Sequence, residues 1–178
     1  IDWKDEDLYR LASNIRRLSK PMIIALNKAD IAEPETVKRL SAIDGYKVVP
    51  TCAETELALR RAAKAGLVSY VPGERKFTVN DNAKLNVNQR KALDYMGQVM
   101  SRYDGTGVQE CLEAVTYELL EQIVVYPVED ETHLTDHDGR VLPDAFLLRK
   151  GSTAKDLAYK VHTELGENFI RAINARTH

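Results

Sequence analysis

Two short polar segments of the sequence can bind a ligand, and each directly follows an apolar run. The first is Asn27-Lys28-Ala29-Asp30, which comes after residues 22–26. The carboxylate of Asp30 can accept two parallel hydrogen bonds from a ring N–H and an exocyclic amine, a pair of donors that guanine has and adenine lacks. The aliphatic stem of Lys28 can lie against a purine ring, and the Asn27 amide can tie the segment to its neighbours. The chemistry predicted for this segment is recognition of guanine.

The second segment, Thr51-Cys52-Ala53, follows residues 46–50 and is separated from the first segment by one helix. Its backbone N–H groups can donate to the carbonyl oxygen of guanine. Because parallel strands end at the same edge of a sheet, we expect both segments to lie at that edge. Asp30 and the N–H groups near Ala53 are therefore predicted to converge on one slot shaped for a purine.

Two alternatives accompany this interpretation. Asn-Lys-x-Asp fixes only three residues, so an unrelated α/β domain can contain it by chance. A strand-to-helix turn with ordinary capping residues explains the same letters.

The elements that position the two segments alternate between helix and strand. Helical spacing over residues 5–18, with Asp5 as N-cap, is followed by a strand at 22–26, a helix that begins at Pro34, a strand at 46–50 and a helix at 54–65 that Gly66 closes. This order, αβαβα, predicts right-handed crossovers and a parallel sheet.

The rest of the chain changes its pattern twice. Residues 67–85 predict an extended piece and a loop, and residues 88–103 and 108–120 predict two helices that resemble a helical hairpin. Strands are predicted at 123–128 and 141–148, with a turn at Asp138-Gly139. A final helix opens after Gly151, has capping-box spacing at Thr153 and Asp156, and stops near Gly166.

The first 75 residues resemble the C-terminal half of a small P-loop GTPase domain, whose family binds the base through Asn-Lys-x-Asp and a Ser/Cys-Ala loop. Residues 21–30 and 48–61, together with the C-terminal stretch, resemble the archaeal Obg-related, YchF-like GTPases. The resemblance implies that GTP or GDP is the ligand and that Asn27, Lys28, Asp30, Cys52 and Ala53 contact its base. Cys52 stands where the family often has Ser, but the backbone makes that contact.

The C-terminal stretch resembles a TGS domain. The resemblance rests on residues 126–130, 142–147 and 150–158. It implies a β-grasp module that contacts protein or RNA, often on the ribosome, and that carries no chemistry of its own. Since the closing strands of such a module would follow Ala175, we expect the module to be truncated.

A complete GTPase of this class also needs Gly-x-x-x-x-Gly-Lys-Ser/Thr to hold the phosphates and magnesium, followed by an Asp-x-x-Gly switch. The phosphate loop does not occur in this sequence, and Asp104-Gly105-Thr106-Gly107 is better explained as the turn before a helix. We therefore expect a fragment that binds Mg²⁺ only with the missing half, has no catalytic residues and does not hydrolyse GTP alone. We expect it to bind GDP with a Kd in the millimolar range or not at all.

The predicted fold class is α/β. Residues 1–78 are expected to form part of a GTPase domain, residues 79–122 a helical segment that completes or flanks it, and residues 123–178 a truncated TGS-like domain. The predicted function is guanine-nucleotide binding in a GTPase of the translation machinery. The alternative is a module without enzymatic activity that docks on RNA, the ribosome or a protein.

The composition of the chain argues against several classes of partner and site. The 178 residues carry a formal net charge of −2, which gives no overall attraction to nucleic acid or anionic membranes. Cys52 and Cys111 lie too far apart for a disulfide framework or a zinc site, so a cytoplasmic location is expected. No apolar run approaches the length that spans a membrane, about 20 residues. The sequence does not indicate an oligomeric state.

Two further groups of polar residues have competing interpretations. His133 and His137 are spaced for a metal, but the turn at residues 138–139 favours a hairpin loop, and no metal is expected. The basic residues at 60, 61 and 64 and at 149–150 are better explained as solvated faces than as RNA-binding sites, since no aromatic residues alternate with them.

Overall fold

The computed structural model describes residues 3–177, so the outer limits predicted at residues 1 and 178 lie outside the described part. The chain folds as two compact units, one that extends to Val115 and one that begins at Thr116. Each unit contains both helices and strands. The predicted α/β class, with a parallel sheet, is confirmed.

The first unit opens with the predicted alternation of helix and strand. The elements are α1 (Asp5–Ser19), β1 (Ile23–Asn27), α2 (Pro34–Ser41), β2 (Lys47–Thr51) and α3 (Ala53–Lys64). Strands β1 and β2 pair in parallel, and the register places Asn27 beside Thr51. The predicted order αβαβα is confirmed, and the two polar segments leave the sheet at the same edge.

After β2 the chain makes an excursion, residues 53–106, which begins with α3 and then returns to the sheet. The excursion contains β3 (Val68–Ser69), which pairs antiparallel with β4 (Thr78–Val79), and then α4 (Val87–Tyr103). Helix α5 (Val108–Glu113) follows and continues as a π-helix over Ala114–Leu119. Helix α4 contacts α3, whereas α5 contacts β1 and β2, so the two helices pack on different elements and the expected helical hairpin is not observed.

Two apolar clusters hold the first unit together. One joins α3, β3 and α4 through Leu59, Val68, Tyr70, Leu93 and Met100. The other lies under the two polar segments and contains Ala29, Val37, Cys52 and Val99. The second cluster therefore fixes the backbone from which Asp30 and Ala53 project.

None of the residues of helix α1 is buried. Its predicted apolar face is exposed, and Leu18 is 84% accessible. The helix begins at Asp5 with Lys4 as its N-cap, one residue before the predicted cap. The shift arises because Asp7 accepts a hydrogen bond from the Lys4 N–H at 3.2 Å, which closes the first turn around residue 4.

The second unit contains an antiparallel pair of strands and two short helices. Strands β5 (Gln122–Val125) and β6 (Phe146–Arg149) pair directly, followed by α6 (Ala154–Val161) and α7 (Thr163–Glu167). The capping box predicted between Thr153 and Asp156 is present. The predicted single helix is interrupted at His162, whose extended backbone ends α6 and whose Nδ1 accepts a hydrogen bond from the Glu164 N–H.

The second predicted strand is shorter than expected. It was predicted over residues 141–148, but regular pairing begins only at Phe146. Residues before it form isolated bridges between Thr135 and both Asp130 and Val141. Within residues 3–177, no helix combines the length and apolar character needed to cross a membrane.

Candidate functional site

The two polar segments are joined directly by the side chain of Asn27. Its Oδ1 accepts a hydrogen bond from the Ala53 N–H at 3.2 Å and another from the Lys28 N–H at 2.9 Å. The Ala29 N–H donates to the Thr51 carbonyl at 3.2 Å. Residues 27–30 and 51–53 are thus bonded to each other at the carboxyl edge of the sheet, where ligands of open α/β sheets bind.

Lys28 has a left-handed backbone conformation, with φ 64°. This conformation costs a residue with a Cβ about 1 kcal/mol, and the hydrogen bond to Asn27 helps to hold it. The turn leaves the Lys28 side chain exposed while the following residue, Ala29, is fully buried. The lysine is therefore available at the surface, as its predicted place against a purine requires.

The backbone N–H groups of the second segment are already engaged. The Cys52 N–H donates to the Thr106 carbonyl at 2.8 Å, and the Ala53 N–H donates to Asn27. Ala53 is the first residue of α3, so the next two N–H groups, those of Glu54 and Thr55, have no acceptor within the helix. A carbonyl bound here would share the Ala53 N–H with Asn27 or use the first turn of α3.

The Asp30 carboxylate lies beside two other polar groups. The Tyr95 hydroxyl is 3.3 Å from its Oδ2 and 3.5 Å from its backbone carbonyl. The Cys52 thiol is the second neighbour: burial, followed by the negative charge of Asp30, raises the pKa of Cys52 to about 11. Burial and the charge of Asp30 also raise the pKa of Tyr95. Both neighbours therefore stay protonated at neutral pH and can donate to the carboxylate.

Helix α4 makes a second contact with the same loop. The Tyr103 hydroxyl donates to the Ala29 carbonyl at 2.7 Å. Val99 lies one turn before it in the buried cluster with Ala29 and Cys52. Tyr95, Val99 and Tyr103 are spaced by four residues, so they share one face of the helix, and that face covers the Asn27–Asp30 loop.

The buried carboxylate of Glu56, which lies on the first turns of α3, accepts hydrogen bonds from residues around the second segment. Glu56 is 5% exposed, and it accepts hydrogen bonds from the hydroxyls of Tyr70 and Thr106 and from Arg60 Nε, each at 2.6 Å. Burial alone would raise the pKa of Glu56, but these donors outweigh it and hold that pKa below its ordinary value. Burial, and then the hydrogen bond to Glu56, raise the pKa of Tyr70 to about 12.

Thr106 connects this carboxylate to the site. Its hydroxyl binds Glu56, and its carbonyl binds the Cys52 N–H. The next residue, Gly107, has φ 73° and lies so close to β2 that a Cβ would overlap the Pro50 carbonyl oxygen. The stretch that was compared with a phosphate loop is thus a turn that closes the excursion of residues 53–106 at its base.

His133 and His137 of the second unit pair with carboxylates. His133 Nδ1 lies 2.7 Å from Asp130 Oδ2, and His137 Nε2 lies 3.2 Å from Asp138 Oδ1. The hydrogen bond with His133 lowers the pKa of Asp130 to about 2. No group of three or more metal-binding side chains is found in the described part of the chain.

Four residues near the site were not singled out as functional from the sequence. They are Glu56, Tyr95, Tyr103 and Thr106. Tyr95 and Tyr103 lie in the predicted helix at residues 88–103, and their spacing of eight residues is consistent with one helix face. Nothing in the sequence indicated that this face would return to a loop 65 residues earlier.

Comparison with known proteins assigns the family. Residues 25–130 match the family described as Obg-like GTPase YGR210-like, G4 motif-containing domain, and residues 133–176 match the TGS domain. The chain belongs to the YGR210-like family of Obg-like GTPases. The expected resemblance to Obg-related GTPases with a TGS domain is confirmed.

The relatives of this Obg-like chain come from archaea and yeast. It is 54% identical to the GTP-binding protein MJ1332 of Methanocaldococcus jannaschii over 99% of the chain, and 29% identical to the GTP-binding protein C428.15 of Schizosaccharomyces pombe over 89%. It is also similar to the crystal structure of a GTP-binding protein from Pyrococcus horikoshii OT3, with a TM-score of 0.67 and 48% identity over 98% of the chain.

The chain spans less than half the length of these relatives. It covers 45% of the Methanocaldococcus protein, 41% of the yeast protein and 45% of the Pyrococcus chain. The family match and the similarity to the Pyrococcus structure concern the residues of this chain only. The contact of residues 27–30 and 51–53 with a base stays a prediction.

Proposed function

We propose that this chain supplies the guanine-recognition site of a GTP-binding protein. The observation that carries the proposal is the hydrogen bond from the Ala53 N–H to Asn27 Oδ1, because it unites the two segments that the sequence assigns to one purine. The names of the relatives, which are GTP-binding proteins, support the same ligand.

Each residue of the proposed site has a distinct role. Asp30 accepts hydrogen bonds from the guanine ring N–H and exocyclic amine, and Lys28 covers one face of the base with its methylene stem. Asn27 holds the two loops together. The guanine carbonyl oxygen accepts from the Ala53 N–H, which it shares with Asn27, or from the first turn of α3. Thr51 ends the strand before this turn, and Cys52 holds the turn in place through its bond to Thr106.

In this proposal the phosphates are bound elsewhere. The sequence contains no Gly-x-x-x-x-Gly-Lys-Ser/Thr, so the chain binds the base but contributes no magnesium ligand and no catalytic group. The longer protein would hydrolyse GTP with groups outside these residues. Without phosphate contacts, most of the binding free energy of the nucleotide is missing, so GDP binds this chain only weakly, with a Kd of about 1–10 mM.

The proposed role of Asp30 is tested by exchanging acceptor and donor. In Asp30→Asn, the amide N–H₂ opposes the exocyclic amine of guanine but can donate to the 2-oxo group of xanthine. NMR titrations of the chain with GDP and with xanthosine diphosphate should show GDP weakened about tenfold or more and xanthosine diphosphate strengthened. The exposed Asp81→Asn serves as the charge-matched control and should change neither affinity.

The proposal fails if Asp30→Asn leaves the preference between the two bases unchanged. An equal loss of both affinities would mean that Asp30 supports the loop without contacting the base.

A second function is proposed for the residues that match the TGS domain. We propose that they contact RNA or protein on the ribosome, and the match to the TGS domain supports this proposal. Arg149 and Lys150 are exposed at the end of β6, so they are the cations with which the contact is tested. The test is co-sedimentation of the chain with ribosomes. The double change Arg149→Glu, Lys150→Glu should reduce it strongly, whereas Lys155→Glu, also exposed, should not. Equal sedimentation of all three chains would contradict this role.

A further inference from the structure

The excursion between β2 and α5 places one tyrosine hydroxyl against the carboxylate that is proposed to recognise guanine. Tyr95 lies on α4, 65 residues after Asp30, and its Oη lies 3.3 Å from Asp30 Oδ2. The same Oη lies 3.5 Å from the Asp30 carbonyl, so it faces both the side chain and the backbone of this residue. A helix that the chain adds after both polar segments thus reaches back to the first of them.

This contact matters because a carboxylate rotates easily about its last torsion. The χ2 torsion of Asp has a broad, roughly two-fold profile, so an unrestrained Asp30 would sample many planes. Two parallel hydrogen bonds to guanine require the carboxylate plane to coincide with that of the base. A donor fixed on Oδ2 selects one plane and leaves the other lone pairs free to accept from guanine.

Helix α4 is a suitable platform for such a donor. Leu93, which precedes Tyr95 in the helix, and Val99 and Met100, which follow it, are buried. A capping box between Asn86 and Gln89 fixes its start. Groups held on a rigid, packed element keep their geometry better than groups on a loop. The ring of Tyr95 is itself 44% exposed, so the structure does not need its hydroxyl for core packing.

The same helix restrains the backbone of the loop as well. The Tyr103 hydroxyl donates to the Ala29 carbonyl at 2.7 Å, two turns along the same face. One tyrosine therefore fixes the path of the loop, and the other fixes the carboxylate that the loop presents. Their roles can be separated by experiment because each hydroxyl can be removed alone.

We infer that Tyr95 is a positioning residue for guanine specificity, which it exerts by orienting the Asp30 carboxylate. The inference rests on the proposed function, since it assigns Asp30 to the base. It adds a specificity-determining residue that lies outside both recognition segments and belongs to the excursion of residues 53–106.

Inosine diphosphate gives a readout that a purely structural role would not change. Its base keeps the ring N–H and the carbonyl of guanine but lacks the exocyclic amine, so it makes only one of the two bonds to Asp30. The ratio of the Kd for inosine diphosphate to the Kd for GDP therefore measures how well both carboxylate oxygens are aligned. We expect Tyr95→Phe to raise the Kd for GDP about threefold to tenfold, because a misaligned carboxylate loses about the net contribution of one ordinary hydrogen bond. The Kd for inosine diphosphate should rise much less.

Two matched variants complete the test. Tyr103→Phe removes a hydroxyl from the loop backbone and should weaken both nucleotides equally. Tyr9→Phe changes a tyrosine that is 73% exposed on α1 and should weaken neither. Affinities come from NMR titration of the intact chain, which measures Kd values in the millimolar range.

The possible outcomes separate the inference from the proposed function. A lowered ratio in Tyr95→Phe alone supports the inference. An unchanged ratio, with or without a general loss of affinity, overturns it and leaves the proposed function intact. If the unaltered chain does not respond to GDP, the proposed function and the inference are both overturned.

Discussion

Replacement of the buried Glu56 by Gln tests whether this carboxylate holds the second segment in place. Glu56 accepts from two hydroxyls through one oxygen and from Arg60 through the other. A bond to a charged acceptor contributes about 1.5–3 kcal/mol, and a bond to a neutral one about 0.5–1.5 kcal/mol, so the two hydroxyl bonds together lose about 2 kcal/mol. The amide nitrogen also opposes Arg60 Nε, but Arg60 is half exposed and can turn to water. The expected destabilisation is about 2–3 kcal/mol.

The assay is amide hydrogen exchange at Cys52, whose N–H is bonded to Thr106. A loss of 2–3 kcal/mol corresponds to exchange that is about 30-fold to 150-fold faster. Glu54→Gln is the matched control, because Glu54 is exposed on the same turn of α3, and it should change exchange less than about twofold. Unchanged exchange at Cys52 in Glu56→Gln would refute the role assigned to this carboxylate.

The pH dependence of the stability of Glu56→Gln tests whether the ionised form of Glu56 is the stabilising one. The pKa of Glu56 in the folded chain lies below its ordinary value of 4.5, since three hydrogen bonds outweigh burial. Its contribution is therefore complete above pH 4.5 and is lost as the pH falls through the lower folded-state pKa. The stability difference between the unaltered chain and Glu56→Gln should shrink on acidification. A difference that grows towards low pH would contradict this.

Two further predictions concern the residues around the site. The buried Cys52, whose pKa is raised to about 11, should react with a thiol reagent at pH 8 much more slowly than the partly exposed Cys111. Mass spectrometry of the labelled peptides measures the two rates. Equal rates would contradict the burial of the Cys52 thiol. Gly107→Ala should lower the free energy of unfolding, measured by thermal denaturation, by about 3 kcal/mol or more, because the new Cβ overlaps the Pro50 carbonyl oxygen. Gly66→Ala is the control: Gly66 has a similar φ but open space around it, so its loss should be about 1 kcal/mol. Equal losses would contradict the close approach of Gly107 to Pro50.

Much of the first unit was predictable because its signals are local. Apolar runs of about five residues, Pro34 at a helix start and Gly66 after a helix end each act within a few positions, and all three predictions agree with the structure. Alternation of helix and strand then led to the parallel pair. The shared edge of the two polar segments followed from that topology.

Other features depend on contacts that no local pattern records. Strands of two residues, such as β3 and β4, are too short to show a period. The break of the last helix at His162 depends on a single side chain that caps the next helix. The contact between Tyr95 and Asp30 joins residues 65 apart, and the packing of α4 decides it. Sequence reasoning thus identified the residues proposed to contact the ligand and the linking role of Asn27, but it missed Glu56, Tyr95, Tyr103 and Thr106, which hold them from other elements.

The central claim is that residues 27–30 and 51–53 form one site for guanine. Its most direct test is an NMR titration of the unaltered chain with GDP and, separately, with ADP. GDP should shift the backbone amides of Lys28, Asp30, Cys52 and Ala53 together along one saturating curve, and ADP at the same concentrations should leave them unchanged. Equal responses to both nucleotides, or shifts confined to one of the two segments, would contradict the claim.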